Sequence, residues 1–362
     1  MKRVLTLTMH SAHNYGAVLQ AFALQSYLIQ RGYKNEIIDY RPDYISNEYK
    51  IIQLKQNNIP IHRSIVSSFI SLPFRILKSY RFNKFINENL KLTNNTFKTY
   101  SQLQESNPKG DVYIVGSDQV WNSDITKGVD PAFFLDFVTF GKKVSYAASF
   151  GKEYVKNEEK NLIKKHLEVF DAISIREESG RGILENLGIK KSELVVDPVF
   201  LLNKGDYNKI SKKPKIDKYL LIYTLENDPL VTPLARKVAE ARNLKIVSIG
   251  SFINRYKSDY HIRAAGPEEF LGYFMNADYV ITNSFHGTAF SIIFNKDFAS
   301  IKLNNKRGTR IENLLEITDN KNRVVERKED FGKILDSIPY HFKSIKIEEV
   351  VQSSKNFISE NI

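Results

Sequence analysis

The 362-residue chain contains no cysteine. That one absence excludes disulfides, thiolate zinc sites and a cysteine nucleophile, and it is compatible with the cytoplasm. No apolar run approaches the roughly 20 residues that a membrane-spanning helix needs. No secretory leader is expected, because Met1-Lys-Arg passes straight into an alternating strand, Val4–Met9, that turns polar at His10. A glycine-rich dinucleotide fingerprint, a phosphate loop ending in Gly-Lys-Ser/Thr and a serine nucleophile elbow are all missing. Carboxylates are the scarcer charge: 41 Asp and Glu stand against 53 Lys and Arg, a net +12. Nucleic acid, an anionic membrane surface or a phosphorylated small substrate would each suit that balance. A lysine-rich surface from AT-rich coding sequence accounts for it without any partner.

What is present is alternation. The length is too great for one ordinary core and suits two domains. Strand Val4–Met9, helix Ala17–Gln30 with Ala17, Ala21, Leu24 and Leu28 on one face, and strand Glu36–Tyr40 open the chain. Short apolar strands follow at Val112–Val115, Val144–Ala147, Ala172–Ile175 and Leu194–Val196, the later ones separated by helices near Lys156–Phe170 and Glu177–Leu187. A second block sets strands Tyr219–Leu225, Lys245–Ile249, Tyr279–Thr282 and Phe298–Ile301 against helices Pro229–Arg242, Pro267–Met275 and one beginning near His286. This predicts an α/β protein with two doubly wound, Rossmann-like domains. We expect residues 1–203 and 204–327 as the two domains, joined through the lysine-rich link Leu202–Lys218, and a charged helical tail over 328–362.

Between the second strand and Val112 lies an insertion, about 42–110. Its centre, Ile61–Leu92, carries six cations against one acid, Glu88, a local charge of +5. Ile65, Phe69, Leu72, Ile76 and Tyr80 fall at helical spacing, and Pro73 should break or kink any helix through it. Two expectations remain open: a basic amphipathic surface lying on an anionic membrane, or a helical pair packed on the sheet with its lysines in water.

Open parallel sheets bind ligands beyond the carboxyl ends of their strands. The residues there are polar: His10 to Gly16 after the first strand, Gly116-Ser117-Asp118-Gln119 after Val115, Ser149-Phe150-Gly151, Arg176-Glu177-Glu178, Asp197, Glu226, Gly250-Ser251, and Asn283-Ser284-Phe285-His286-Gly287-Thr288. The last opens a helix, where backbone N–H groups and the dipole suit a phosphate. Arg176 ends an apolar strand, where a guanidinium is costly unless it is paired or solvated. His10 and His13 have no accompanying acidic or histidine cluster, so no metal is expected. Trp121 reads as core.

Several of these blocks together resemble the polysaccharide pyruvyl transferase family: Asn14-Tyr-Gly-Ala-Val-Leu-Gln20, Val115-Gly-Ser-Asp-Gln-Val-Trp-Asn122, Ser145-Tyr-Ala-Ala-Ser-Phe-Gly151, Ile173-Ser-Ile-Arg-Glu-Glu-Ser179, Asp197-Pro-Val-Phe-Leu-Leu202 and Thr282-Asn-Ser-Phe-His-Gly-Thr288. The resemblance implies two Rossmann-like domains facing across a cleft, similar to the B-type glycosyltransferases. It implies phosphoenolpyruvate as donor substrate with no separate cofactor. The acceptor would be a sugar of a cell-surface glycan or its lipid-linked oligosaccharide precursor, and the product a pyruvate ketal with release of phosphate. Similar enzymes hold the donor with an arginine and a histidine that match Arg176 and His286. Some members carry another arginine two residues before that histidine. Here the position is Ser284, and Arg307 or Arg310 would have to supply the charge.

On this resemblance Arg176 binds donor carboxylate or phosphate. His286, with Asn283, Ser284, Gly287 and Thr288, takes the phosphate and is a candidate acid. Asp118 orients or deprotonates the acceptor hydroxyl. Asn14, Tyr15, Gly16, Ser117 and Gln119 line the acceptor side. Work at the inner face of the cytoplasmic membrane would fit a lipid-linked acceptor. The rivals are a glycosyltransferase of the same architecture using a nucleotide sugar, and a nucleic-acid binder. The latter is disfavoured because aromatic and basic residues do not interleave in a groove- or strand-reading pattern.

Overall fold

Short, mostly apolar strands form the frame. A computed structural model of the chain describes residues 1–46, 61–250, 253–303, 306–336 and 345–362, with backbone alone at 46, 61–69, 306–309 and 345. The first half comprises β1 (Arg3–Leu7), α1 (Tyr15–Gln30), β2 (Lys34–Tyr40), α2 (Asp43–Ser46), α3 (Ile61–Asn89), β3 (Leu92–Phe97), α4 (Tyr100–Ser106), β4 (Val112–Val115), β5 (Lys142–Ala148), α5 (Asn157–Leu167), β6 (Ala172–Ile175), α6 (Glu178–Asn186) and β7 (Glu193–Leu194). The second half comprises α7 (Lys204–Asn208), β8 (Tyr219–Tyr223), α8 (Val231–Arg242), β9 (Lys245–Ile249), β10 (Tyr260–Ile262), α9 (Pro267–Asn276), β11 (Tyr279–Thr282), α10 (Phe285–Ile293), β12 (Asp297–Ile301), α11 (Lys306–Ile317), β13 (Val324–Val325), α12 (Phe331–Asp336) and α13 (Ile345–Asn361).

Two compact units result. Met1–Tyr49, Ile86–Leu202 and Ile345–Ile362 form the first, and Lys50–Phe85 with Asn203–Ser344 the second. The first holds a seven-stranded parallel sheet in the order β3-β2-β1-β4-β5-β6-β7. The second holds a six-stranded parallel sheet ordered β10-β9-β8-β11-β12-β13. Both wind outward from a central pair, β1/β4 in one and β8/β11 in the other, as in a Rossmann sheet. The central strands β4, β8 and β11 are buried along their whole length, as a sheet covered by helices on both faces requires.

The insertion departs from expectation. It contributes the edge strand β3, and its helical centre is one continuous helix, α3, rather than a pair. Pro73 lies inside that helix at an exposed position. There, the carbonyl one turn earlier, which proline cannot serve, has water as an alternative partner. Up to Phe85 this helix belongs with the second unit, where Arg81 donates to the Ala264 carbonyl at 2.8 Å and approaches Glu269 at 3.7 Å. The side chains of Arg63, Ile65 and Phe69 lie outside the described residues.

The expected tail is split: α12 belongs with the second unit, and Ile345–Ile362 with the first. Helix α13 buries Phe357 and Ile358, and its Ser354 hydroxyl oxygen accepts the Val196 N–H at 3.0 Å. Lys2 donates to the carbonyl of Ile362 at 2.6 Å.

Candidate active-site corners

In each unit the polar corners gather at the carboxyl end of the central strands. In the first, Gly116 has φ +111°, and a Cβ there would run into the Tyr146 carbonyl oxygen. The backbone of β4 can therefore pass this close to β5 with glycine at that position. Ser117 follows, fully buried: its hydroxyl donates to the Ala147 carbonyl at 3.0 Å, and its own carbonyl accepts from Thr8 at 3.0 Å. Thr8 in turn accepts from Gln20 at 2.8 Å, so Ser117 is held between two strands. Asp118 is half-buried with φ +74°, and its Oδ1 accepts the next backbone N–H, that of Gln119, at 2.8 Å. The Gln119 side-chain oxygen accepts from Asn122 at 2.8 Å. Asn14 caps α1 by accepting from Gly16 at 2.9 Å and Ala17 at 3.4 Å. Tyr15 and Gly16 are buried in that first turn.

Arg176 finds the partners its position demanded. Its Nη1 donates to Asp197 Oδ2 at 2.5 Å, and its Nε lies 3.7 Å from Glu177 Oε2. The side chains of Arg176, Glu177 and Asp197 are 3%, 3% and 0% exposed. Burial works against the guanidinium charge, but Asp197, Glu177 and Asp118 outweigh it and hold the pKa above its ordinary value. Glu177 is itself fixed through Oε1, which accepts the Ser149 hydroxyl at 2.6 Å and the Gly151 N–H at 3.5 Å. Asp197 Oδ1 accepts the Val199 N–H at 3.1 Å and so starts the short turn Pro198–Leu201. Two buried carboxylates thus pair with one guanidinium, and the charge of Asp118 adds to theirs. Glu177 and Asp197 stand at strand-end corners that the sequence marked, but neither was given a role in the site. The signal for them was the arginine itself, which at the end of a buried strand must have counter-charge.

In the second unit, Asn283 stitches the switch point together. Its Oδ1 accepts the Leu225 N–H at 2.8 Å and its Nδ2 donates to the Glu226 carbonyl at 2.9 Å, so β11 is tied to the chain leaving β8. Ser284 is the N-cap of α10: extended backbone, with the hydroxyl accepting the Gly287 N–H at 3.3 Å. Gly287 must be small, because a Cβ would collide with the Thr282 hydroxyl and meet the Tyr223 ring at 3.2 Å. Burial raises the Tyr223 phenol well above its usual pKa, against a hydrogen bond with Ser284. Half-buried His286 occupies the first turn, its ring edge-on to Phe285 at 5.2 Å. Thr288 is fully buried one position beyond Gly287. Arg310 is half-buried on α11, a helix that packs against α10. The Arg307 side chain and Ser251 lie outside the described residues.

No group of three potential metal-binding side chains occurs among the described residues. His10 is fully buried with Nδ1 3.2 Å from the Thr8 carbonyl and Nε2 2.9 Å from Asp39. Trp121 is core, donating to the Phe133 carbonyl at 2.9 Å and stacked on Phe134. The depression lined by Lys218, Asn243, Lys245, Asp259 and Tyr260 lies at the amino ends of β8–β10, the wrong end for a doubly wound site.

The family model of polysaccharide pyruvyl transferase matches residues 14–305, most of the chain and both corners. The chain belongs to the polysaccharide pyruvyl transferase family. It is therefore a member of an enzyme family, and the match takes in Arg176 and His286 while ending before Arg307 and Arg310. Among solved structures, the UDP-GlcNAc 2-epimerase of Methanocaldococcus jannaschii is similar, with TM-score 0.50 at 14% identity over 99% of this chain and 100% of that one. A putative UDP-N-acetylglucosamine 2-epimerase of Listeria monocytogenes gives TM-score 0.49 at 10% identity, covering 99% of this chain and 97% of that one. The first likeness concerns the fold alone, and it agrees with two parallel sheets of the B-type glycosyltransferase kind. A search of curated protein sequences returned no match.

Proposed function

We propose that this pyruvyl transferase family member moves the enolpyruvyl group of phosphoenolpyruvate onto a sugar of a cell-surface polysaccharide or its lipid-linked precursor. The observation that carries this is the second-unit corner. Asn283 fixes the strand ends, Ser284 caps α10, and the helix presents its positive dipole end and His286 together. A phosphate suits that combination.

The donor's methylene carbon takes up a proton, becoming a methyl group, and the adjacent carbon becomes oxocarbenium-like. A sugar hydroxyl adds there and loses its proton, the carbon–oxygen bond to phosphate breaks, and a second hydroxyl closes the ketal. Phosphate leaves with one of the two hydroxyl protons. In this scheme His286 holds the phosphate and delivers the proton. Asp118 accepts one from the acceptor hydroxyl. Arg176 already serves Asp197 and Glu177, so we assign it as the residue that keeps this acidic corner assembled. Contact with the donor would require it to share that charge. Arg310 is the candidate for the second cation in the donor's own unit. A lipid-linked acceptor would place the reaction at the inner face of the cytoplasmic membrane. Among the described residues no helix is long and apolar enough to cross a membrane.

Replacing His286 by Ala should reduce pyruvyl transfer by about 100-fold or more with an unchanged melting temperature. Full activity would remove His286 from the mechanism. Calorimetric titration with phosphoenolpyruvate and with nucleotide sugars separates this activity from glycosyl transfer: heat from a nucleotide sugar alone would favour the latter.

A further inference from the structure

We infer that the exposed face of α3 is a docking surface that inserts into an anionic lipid bilayer. Around the helix, Ile70, Pro73, Ile76, Leu77 and Tyr80 fall on one side. That side faces solvent: Ile70 is 55% exposed, Ile76 49%, Leu77 40% and Tyr80 62%. The opposite side is the packed one. Phe82 and Phe85 are buried there, and the Arg263 guanidinium covers the Phe74 ring at 5.2 Å. Lys78 lies over the Phe82 ring at 5.5 Å, and burial lowers its amine pKa. Large apolar side chains thus face solvent as well as the core, while Arg75, Lys78, Arg81 and Lys84 are each half-buried. The sequence suggested a basic face on the membrane. The structure presents an apolar one.

The occupant follows from charge. No Asp or Glu occurs from residue 61 to 87, while five Lys and Arg do. A helix is about 10–12 Å across and the screening length is about 8–10 Å, so those cations act on charges at the exposed face. Anionic headgroups are attracted there and a second copy of this chain, itself at +12, is repelled. Tyr80 has the amphipathic ring favoured at the headgroup level. The bilayer as partner rests on the lipid-linked acceptor proposed above for its biological sense, but not for its physics.

The full chain is sedimented with vesicles of phosphatidylcholine, alone or with about 30% phosphatidylglycerol. Wild type should bind the anionic vesicles, more weakly but still measurably at high salt. The double variant Ile76→Ser, Leu77→Ser should bind about tenfold or more weakly with an unchanged melting temperature. Equal binding by the variant, no binding by wild type, or a dimer in solution that the variant dissociates would each overturn the inference. Transfer from phosphoenolpyruvate to a soluble acceptor fragment is measured alongside. Transfer retained by a variant that has lost vesicle binding supports the surface. Vesicle binding intact in a wild type without transfer would sink the activity and leave the surface standing.

Discussion

Arg176 was the residue whose sequence position raised a physical question, and the answer is a buried ion cluster. A guanidinium closing an apolar strand needs counter-charge, and Asp197 and Glu177 provide it. Removing it should be far costlier than removing a surface arginine. Arg176→Ala leaves two buried carboxylates uncompensated, and we expect a loss of about 3–5 kcal/mol by urea denaturation. A loss below about 1 kcal/mol would show that the cluster is solvated and available to ligand. The partners were not legible beforehand, because Asp197 comes from a different strand end 21 residues away. Asp39 poses a second residue-scale test. Burial favours its neutral form, but hydrogen bonds from His10, Arg41 and Thr96 dominate and hold its pKa well below the usual carboxylate range. A depressed folded-state pKa adds stability above the unfolded value, about 3.9, that is lost as pH falls through the folded value. Asp39→Asn should therefore destabilise the protein at neutral pH and flatten the fall in stability below pH ~4, read from melting temperatures across an acid series. A parallel downward shift at every pH would contradict this assignment.

At the scale of elements, the central strands were the easiest to read. β4, β6, β9 and β11 begin and end at the residues expected, since short, mostly apolar stretches bounded by polar corners leave little choice. The edges were not legible. β3, with sequence Leu-Thr-Asn-Asn-Thr-Phe, is mostly exposed and has no apolar run, and β10 and β13 are three and two residues long. Pairing to a formed neighbour makes such strands, and their own side chains announce nothing. The α10 corner was legible as a helix opening. The strand-to-strand tie through Asn283 was not, because its partners are backbone groups of Leu225 and Glu226. The Ser284 hydroxyl caps that helix. Ser284→Ala should destabilise by about 1 kcal/mol and weaken phosphoenolpyruvate binding, because the first turn frays. Unchanged binding would separate the cap from the donor site.

For the molecule as a whole, two Rossmann-like domains, 1–203 and 204–327, with a helical tail were expected. The two compact units are each assembled from separate stretches of the chain. The path between units is less simple than the sequence suggested: part of the insertion belongs with the second unit, and only Ile345–Ile362 of the tail with the first. Those assignments depend on contacts between residues far apart in sequence, such as Val196 with Ser354, 158 positions away, which periodicity does not encode. Deleting residues 345–362 should expose the surface that Phe357 and Ile358 cover, at about 1.5–3 kcal/mol for each side chain, and lower the melting temperature. An unchanged melting temperature would mean that α13 is dispensable to the first unit.

A crystal structure with bound phosphoenolpyruvate tests the central claim most directly. We expect the phosphate at the first turn of α10, within hydrogen-bonding distance of its backbone N–H groups and of His286. Phosphate bound elsewhere, with that turn empty, would contradict the account.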